Sequence, residues 1–439
     1  MMCLKGSSVI ILFYTALAFA SCRTLPVSTD NAKILSSTGQ SPYCGCLLFV
    51  DDARSTRDLA IADSFKPNIL LRSWYRWGEP RPEAVYDARR DLVSSLRDSH
   101  RLLGGGVSLS VLNQRDLSRD DFDKSWLSVR MDGAPFVKGD LSFGTLSSPG
   151  FRAFVVSRLA EQAKLGVKEL HLGESNGEIH FDDWTLGLAG ENGFIQWIRN
   201  KYPDKSGDWW HRYLGSLGDA LYSNASISRN DFKNLTGTDL NHFQLEWGKE
   251  GSWHGVNADG KPAFIADLYR YNLDALISEA RTALMRDGLS TVTIDVFGFG
   301  DWMVGLANQP DAYQAAVPDE RRGINWSTDE SYSLDGARDR IKAVMLNEVK
   351  TFKHVVYVID HPKPFQALTN LSDRRQADIM SFFAKLSFEV GANFMIQSYS
   401  DVPDKLGSDT STALHKICEH AQRQSLCPNG SPQSVDLGI

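Results

Sequence analysis

Short apolar runs alternate along this chain with stretches of helical period, and no other feature constrains the fold as strongly. At 148–166 the apolar residues fall roughly on one face of a helix, and the stretch at 82–105 ends with a glycine stop signal. Two further helices are predicted at 266–288 and 374–391. Continuous apolar runs between helices are typical of strands in a parallel sheet. The seven runs, enriched in β-branched residues, lie at 46–52, 68–74, 106–112, 167–174, 291–298, 354–361 and 393–400.

The order of these elements predicts an α/β fold, a (β/α)8 TIM barrel with loop and helical insertions. The segment 323–333 is the candidate for an eighth strand. An open doubly wound sheet usually carries a glycine-rich phosphate loop after its first strand. The first run here is followed by "DDARSTRD", which contains no glycine. The closed barrel is therefore favoured.

The chain divides into three parts on its sequence. Residues 1–21 have the layout of a signal peptide, and 22–43, rich in Ser, Thr and Pro, form a tether. The barrel domain is predicted over 44–439. It carries an insertion at 118–144, a loop with a hairpin and an aromatic lip, and a second at 200–262, a helical subdomain over the barrel mouth.

The N-terminal segment leaves two processing alternatives open. One lysine, Lys5, precedes an apolar run that ends at Ala20, which is too short to span a membrane comfortably. Cleavage before Ser21 is one alternative; a bacterial lipoprotein box ending at Cys22 is the other, with Cys22 as the lipidated residue. Both predict a bacterial protein that is secreted or held in the cell envelope, in the periplasm or on the outer surface. The predicted membrane contact is confined to this anchor.

Four cysteines flank the predicted barrel: Cys44, Cys46, Cys418 and Cys427. In an oxidising compartment they would form two disulfides, and three pairings are open, including one that ties the N-terminal strand to the C-terminal tail. A zinc site is the alternative, but Cys-x-Cys and Cys-x8-Cys are not zinc-ligand spacings.

The net negative charge of the chain argues against nucleic acid as a partner. The formal charge is −7, and removal of residues 1–21 takes away Lys5 and moves it to −8. The chain has no run of Lys and Arg, and an acidic surface repels phosphate backbones and anionic membranes alike.

Acids, amides and aromatic residues dominate the ends of the apolar runs. In a (β/α)8 barrel the active site lies at the carboxyl ends of the strands, so these side chains are candidates for the site. Carboxylates and amides bind hydroxyl groups, whereas Trp and Tyr cover the apolar faces of sugar rings, so the predicted ligand is a neutral carbohydrate. The candidates at the run ends are Asp51, Asp52, Arg72, Trp74, Asn113, Glu174, Asp295, Asp360, His361, Gln397 and Tyr399.

The loop after the fourth run offers several acids to one cleft. Glu174 ends the run, and Asp182 and Asp183 follow with Trp184 beside them. Glycoside hydrolysis needs two carboxyl groups that face one bond, so this cluster suits that chemistry. The alternatives are that Asp182 or Asp183 caps the next helix and that Glu178 is solvated surface.

Aromatic residues are dense where the second run ends. Trp74 and Trp77 lie in "RSWYRWGEP" and are predicted to stack on sugar rings, with Trp184 and Tyr399 as further candidates. The alternative is a packed lip around the insertion.

No spacing in the sequence indicates a metal or cofactor, and none is expected. His171 and His180 are interpreted as structural, because no His-x-His or His-Glu-x-x-His pattern accompanies them. A serine hydrolase is disfavoured because no Gly-x-Ser-x-Gly elbow occurs.

Two segments carry a resemblance to a known family. "SPGFRAFVVSRLAEQAKLGVKELHLGESNGEIHFDDWTLGLAGENGFIQWIRNKY" is similar to the fourth strand and flanking helices of β-galactosidase-like (β/α)8 glycoside hydrolases. "LYRYNLDALISEARTALMRDGLSTVTIDVFG" continues the pattern, and together they cover about residues 150–300.

The resemblance implies an acid/base carboxylate at the end of strand four and a nucleophile at the end of strand seven. Glu174 matches the first position, and Asp360 matches the second if 323–333 is strand six. The chain departs from the family in having Gly173 where Asn is usual and Asp360 where Glu is usual. If Asp360 does not act as the nucleophile, it would bind substrate instead. Asp295 is a competing catalytic acid, or a residue that organises its neighbours.

The sequence therefore predicts a glycoside hydrolase that cleaves a poly- or oligosaccharide by carboxylate acid/base catalysis. A non-catalytic glycan-binding surface lipoprotein on a degenerate barrel is the alternative. A barrel lyase or isomerase would need a metal site or a basic lysine, and neither is identified.

Overall fold

A computed structural model gives the fold of part of the chain. The chain divides into two compact units, Met1–Gly39 and Gln40–Ile439, and every residue described belongs to the second. The structure describes residues 43–51, 69–71, 102–109, 111–112, 122–128, 135, 137–138, 141–173, 194–227, 264–297, 303, 305–318, 333–359, 371–399 and 407–424.

Eight parallel strands form a closed barrel, which confirms the predicted fold class. Their order around the barrel is β1-β11-β10-β9-β8-β7-β3-β2, and a three-stranded sheet, β4-β6-β5, accompanies them. The strands are β1 (Leu47–Asp51), β2 (Ile69–Leu71), β3 (Leu102–Ser108), β4 (Val111–Leu112), β5 (Val137–Lys138), β6 (Leu141–Phe143), β7 (Glu169–Gly173), β8 (Thr293–Phe297), β9 (Ala312–Ala316), β10 (Val355–Ile359) and β11 (Asn393–Tyr399).

Helices follow most of the barrel strands, and the predictions at 148–166, 266–288 and 374–391 are confirmed. Serine caps several N-termini: the Ser148 hydroxyl accepts from the backbone N–H of Phe151, and Ser372 caps the helix at Asp373 in the same way. The described helices are α1 (Pro149–Lys164), α2 (Phe194–Lys201), α3 (Gly207–Tyr222), α4 (Phe264–Arg286), α5 (Leu334–Thr351), α6 (Asp373–Glu389) and α7 (Ser408–Arg423).

The sixth barrel strand is β9, so its predicted place at 323–333 is wrong. The sequence of β9, "AYQAA", has no β-branched residue, and three of its five residues are alanine. Small side chains fit this strand because Ala312 packs inside the barrel against larger residues of neighbouring strands. Ser333, at the end of the predicted strand, instead caps α5 and accepts from Gly336. Residues 319–332 lie outside the described part of the chain.

The third strand begins at Leu102, four residues before its predicted start, so the glycines assigned to a helix end belong to β3. Gly106 has φ +157°, and a Cβ there would overlap the carbonyl oxygen of His171. The Gln162 side chain of α1 bonds both the N–H and the C=O of Gly106, each at 2.9 Å. These glycines let a helix side chain and β7 approach the strand closely.

Apolar packing falls into two layers. Leu170, Leu172 and Val296 point outward from the barrel and belong to the large cluster shared with the helices. Alternate residues point inward, because successive side chains of a strand lie on opposite faces. The apolar part of the interior is formed by Tyr43, Leu47, Ala312, Val356, Val358 and Met395.

The two ends of the barrel domain are joined where β1 pairs with β11. Asn393 Nδ2 donates to the carbonyl oxygens of Tyr43 and Gly45, at 2.7 and 3.1 Å. Cys46 forms a disulfide with Cys418 of α7, with the Cα atoms 4.5 Å apart, which confirms the predicted tie between the N-terminal strand and the C-terminal tail. Cys44 is disulfide-bonded as well.

The two insertion segments contribute aromatic clusters. In the first, Phe122 and Trp126 pack edge to face at 5.4 Å beside the antiparallel β5–β6 pair. In the second, Tyr202, Trp209 and Trp210 pack together at the start of α3, and Trp210 is buried. The position of the second insertion over the barrel mouth stays a prediction.

None of the helices in the described part is both long enough and apolar enough to cross a membrane.

Replacing Gly106 by alanine should lower the free energy of unfolding by about 3 kcal/mol, because the new Cβ overlaps backbone that has no room to move. Gly288→Ala is the matched control: Gly288 also has positive φ, +74°, but open space surrounds it. The control should cost only about 1 kcal/mol for its strained backbone. Urea unfolding of both variants tests this, and equal losses would refute the close approach of β3 and β7.

Removing the Cys46–Cys418 bridge by the double replacement Cys46→Ser, Cys418→Ser should lower the free energy of unfolding by about 2–5 kcal/mol. The bridge joins residues 372 positions apart, so its loss removes a long-range cross-link that restricts the unfolded chain. The measurement is denaturant unfolding of oxidised wild type and variant under identical conditions. If the denaturant midpoint and the slope of the unfolding transition are the same in both proteins, the bridge does not stabilise the fold.

Candidate functional site

The ends of the fourth and seventh barrel strands lie at one rim of the barrel. These strands are β7 and β10, and they finish at Gly173 and Ile359. Because all eight strands run in parallel, their carboxyl ends share one end of the barrel, where this fold places its active sites. Glu174 and Asp360 are the next residues of the chain after these two ends.

A second group of predicted residues meets where β1 adjoins β11. Asp51 and Tyr399 are the last residues of their strands and are partners in the register, while Gln397 pairs with Phe49. The backbone therefore brings Asp51, Gln397 and Tyr399 together at the carboxyl end of the barrel.

The other predicted site residues lie outside the described part of the chain, and their roles stay predictions. They are Cys22, Asp52, Arg72, Trp74, Trp77, Asn113, Glu174, Asp182, Asp183, Trp184, Asp360 and His361.

Asp295 does not end its strand, so that expectation is wrong. It is the third residue of β8, which continues to Phe297, and it is fully buried. The apolar run did continue beyond the acid, and this continuation was the sign that Asp295 lies inside the strand.

Asp295 belongs to a group of polar side chains inside the barrel that we call the interior polar cluster: Tyr43, Glu169, His171, Asp295 and Gln314. Glu169 and His171 are two residues apart on β7 and therefore share its inward face. His171 and Asp295 are register partners on the neighbouring strands β7 and β8. The cluster is closed to solvent, since Glu169 and Asp295 are 0% exposed and His171 is 4% exposed.

Hydrogen bonds link most of the cluster. His171 Nδ1 and Asp295 Oδ1 share a short hydrogen bond. The Tyr43 hydroxyl lies 3.2 Å from Asp295 Oδ2 and 3.3 Å from Thr293 Oγ1, and it donates to one of them. Gln314 Nε2 donates to Glu169 Oε1 across a long 3.5 Å. The other carboxylate oxygen, Glu169 Oε2, is buried and accepts no hydrogen bond from the described residues.

Burial pushes the side chains of His171 and Asp295 toward their neutral forms. It lowers the pKa of His171 to about 3 and raises the pKa of Asp295 well above its usual value. The pKa of Tyr43 is also raised, first by burial and then by the charges of Asp295 and Asp311. The pKa shifts of His171 and Asp295 favour a neutral imidazole beside a protonated carboxyl group, with one proton in the hydrogen bond between Nδ1 and Oδ1.

Sequence reasoning did not identify Tyr43, Glu169 or Gln314. Glu169 carried a sign that was available: an acid inside the apolar run 167–172 has to face either solvent or a polar interior. No sequence pattern marked Tyr43 or Gln314, because their hydrogen-bond partners lie 252 and 145 residues away along the chain.

The fold is similar to that of solved β-galactosidases. The cold-adapted enzyme from Rahnella sp. R3 has a TM-score of 0.53 at 14% identity, over 89% of this chain and 58% of that one. The β-galactosidase from the haloarchaeon Halorubrum lacusprofundi has a TM-score of 0.53 at 11% identity, over 86% and 58%. The psychrophilic Marinomonas ef1 enzyme has a TM-score of 0.50 at 11% identity, over 86% and 59%.

At these identities the likeness shows a shared fold, and it confirms the predicted resemblance at that level. The chain spans 58–59% of the length of these β-galactosidases. No protein-family model and no curated protein sequence matches the chain.

Replacing Tyr43 by phenylalanine should lower the free energy of unfolding by about 2 kcal/mol, because it removes a donor that serves a buried carboxylate. Tyr313→Phe is the matched control, since its buried ring loses only a bond to the neutral oxygen of Gln309, at 3.0 Å. The control should lose about 1 kcal/mol or less. Chemical unfolding measures both, and a larger loss for Tyr313→Phe would contradict the role assigned to Tyr43.

Proposed function

We propose that this protein is a glycoside hydrolase acting on a poly- or oligosaccharide, with Glu174 as general acid and Asp360 as its partner carboxylate. One observation carries the proposal: the barrel order makes these two residues the first to follow the fourth and seventh strands. The likeness to β-galactosidase barrels supports it, because the resemblance in sequence pattern implied acids at these same two strand ends.

The chemistry follows from two carboxyl groups that face one glycosidic bond. The acid protonates the leaving oxygen as the bond to the anomeric carbon breaks, while the second carboxylate either attacks that carbon or removes a proton from the attacking water. Strand ends that share one rim of the barrel would bring the two groups to one cleft. Asp360 in place of the family's usual glutamate has a side chain one methylene shorter.

Asp295 is a positioning residue in this proposal. Its burial and its bonds to His171 and Tyr43 fix β7 against β8 below the point where Glu174 leaves the barrel. A carboxyl group with no exposure has no route to a bound sugar.

The proposed location is the bacterial cell envelope, with Cys22 as a lipid anchor. The Cys46–Cys418 disulfide supports an oxidising compartment, since structural disulfides are rare in the cytosol. Rings such as Trp74 and Trp77 are proposed to stack on the sugar, with Asn113, Asp182 and His361 binding its hydroxyls.

Glu174→Gln and Asp360→Asn should each reduce turnover by at least about 100-fold, because each removes a group that transfers a proton or attacks in the reaction. The measurement is release of reducing ends by the mature protein from a panel of plant and bacterial polysaccharides. Glu178→Gln, in the same acidic loop, is the matched control and should keep nearly full activity.

Full activity in both strand-end variants would refute the proposed pair. If wild type binds a polysaccharide but releases nothing, the non-catalytic glycan-binding alternative is favoured, and the two departures from the family at Gly173 and Asp360 would account for it.

A further inference from the structure

The barrel interior contains a set of three buried side chains whose nitrogen and oxygen atoms could bind a metal ion. Glu169, His171 and Asp295 each offer one ligand atom, and these three atoms lie within 4.8 Å of one another. We propose that these residues form a buried site for one divalent transition-metal cation of the zinc class. The proposal does not depend on the hydrolase assignment.

The charge of the site is the first argument. Two carboxyl groups lie beside an imidazole, with no exposure of either carboxyl group, and no Lys or Arg of the described chain pairs with them. Isolated carboxylates in an apolar interior are strongly disfavoured, so such a site requires a cation or a proton for each charge.

The unsatisfied oxygen is the second argument. Glu169 Oε2 is buried and has no hydrogen-bond partner among the described residues, although buried carboxylate oxygens are normally bonded. Glu169 Oε1 is already engaged by Gln314. A cation that binds Oε2 would satisfy the one oxygen that the protein leaves unbonded.

The distances permit a shared ion after a moderate side-chain movement. Zinc binds imidazole nitrogen and carboxylate oxygen at about 2.0–2.2 Å in a tetrahedron, so two ligand atoms of one ion lie about 3.4 Å apart. The three donor atoms fall within 4.8 Å of one another, so the widest gap has to close by at most about 1.4 Å. Side-chain torsions on two adjacent strands supply a shift of that size.

An outer layer of hydrogen bonds already orients the ligands. The Tyr43 hydroxyl lies 3.2 Å from Asp295 Oδ2, and Gln314 reaches Glu169 Oε1 at 3.5 Å. Tyr43 thus bonds one oxygen of Asp295, and Gln314 bonds one oxygen of Glu169, as outer hydrogen bonds do around metal-binding carboxylates. Binding would release the proton shared by His171 and Asp295, since a ligand nitrogen or oxygen must be deprotonated.

The donor types select the metal. One nitrogen and two carboxylate oxygens suit zinc, with manganese as a more weakly bound ion at the same donors, whereas magnesium and calcium prefer oxygen alone. Complete burial leaves no room for a reacting substrate, so the ion would be structural. It would hold β7 to β8 directly beneath Gly173, where the chain leaves the barrel.

The test is the metal content of the full mature chain, measured by mass spectrometry after refolding from denaturant with Zn²⁺ and removal of free ion. About one zinc per chain is expected, with a thermal midpoint at least about 5 °C higher than after refolding in EDTA. Less than about a tenth of a zinc per chain together with equal midpoints would overturn the proposal and leave a protonated cluster.

Variants locate the ion. Glu169→Gln and Asp295→Asn should each lower the bound zinc at least about tenfold at micromolar free Zn²⁺. Glu348→Gln is the matched control, because Glu348 is a buried carboxylate that accepts from Tyr357 outside the barrel interior, and it should retain the zinc. Zinc retained in full by both cluster variants would place the ion elsewhere and overturn the site. If a variant does not fold, the wild-type measurement decides.

Discussion

The closure of the parallel barrel is the constraint on which the rest of the structure depends. When β1 pairs with β11, no edge remains in the sheet, and all eight carboxyl ends are brought to one rim. The chain secures this junction with the Cys46–Cys418 bridge and with the Asn393 side chain, which bonds the backbone just before β1. A gap at this junction would separate Asp51 from Gln397 and Tyr399 and would open the rim to which the other strand ends are brought.

Closure also creates an interior that is divided into two parts of different chemistry. One part is apolar and is formed by Leu47 of β1, Val356 and Val358 of β10 and Met395 of β11, together with Tyr43 and the small Ala312 of β9. In the other part, on β7 and β8, lie acids and a histidine, which are balanced by a shared proton and by hydrogen bonds from Tyr43 and Gln314. Because buried charges are costly, a barrel that only needed a packed core would not place them there. These costly buried groups lie directly below the end of β7, and Glu174 is the next residue of the chain after that end.

The fold could be predicted from the sequence because periodicity is a local property. Strands such as β7, β8 and β10 are apolar runs, and helices α1, α4 and α6 repeat at helical spacing, so their order alone indicated a barrel. β9 was missed because its composition is set by the tight interior and not by strand propensity. The glycines of β3 were misassigned because a helix end and a close approach between strands select the same residue. Tyr43, Glu169 and Gln314 joined the cluster through register and long-range contacts, which residue spacing does not encode.

The decisive measurement for the proposed catalytic pair is a crystal structure of the mature protein that resolves the carboxyl groups of Glu174 and Asp360. We expect the two groups to face one cleft at the carboxyl ends of the strands, separated by about 5–10 Å, the range that retaining and inverting glycosidases span together. A separation well beyond that range, or a carboxyl group turned away from the cleft, would contradict the pairing of these two acids in one reaction.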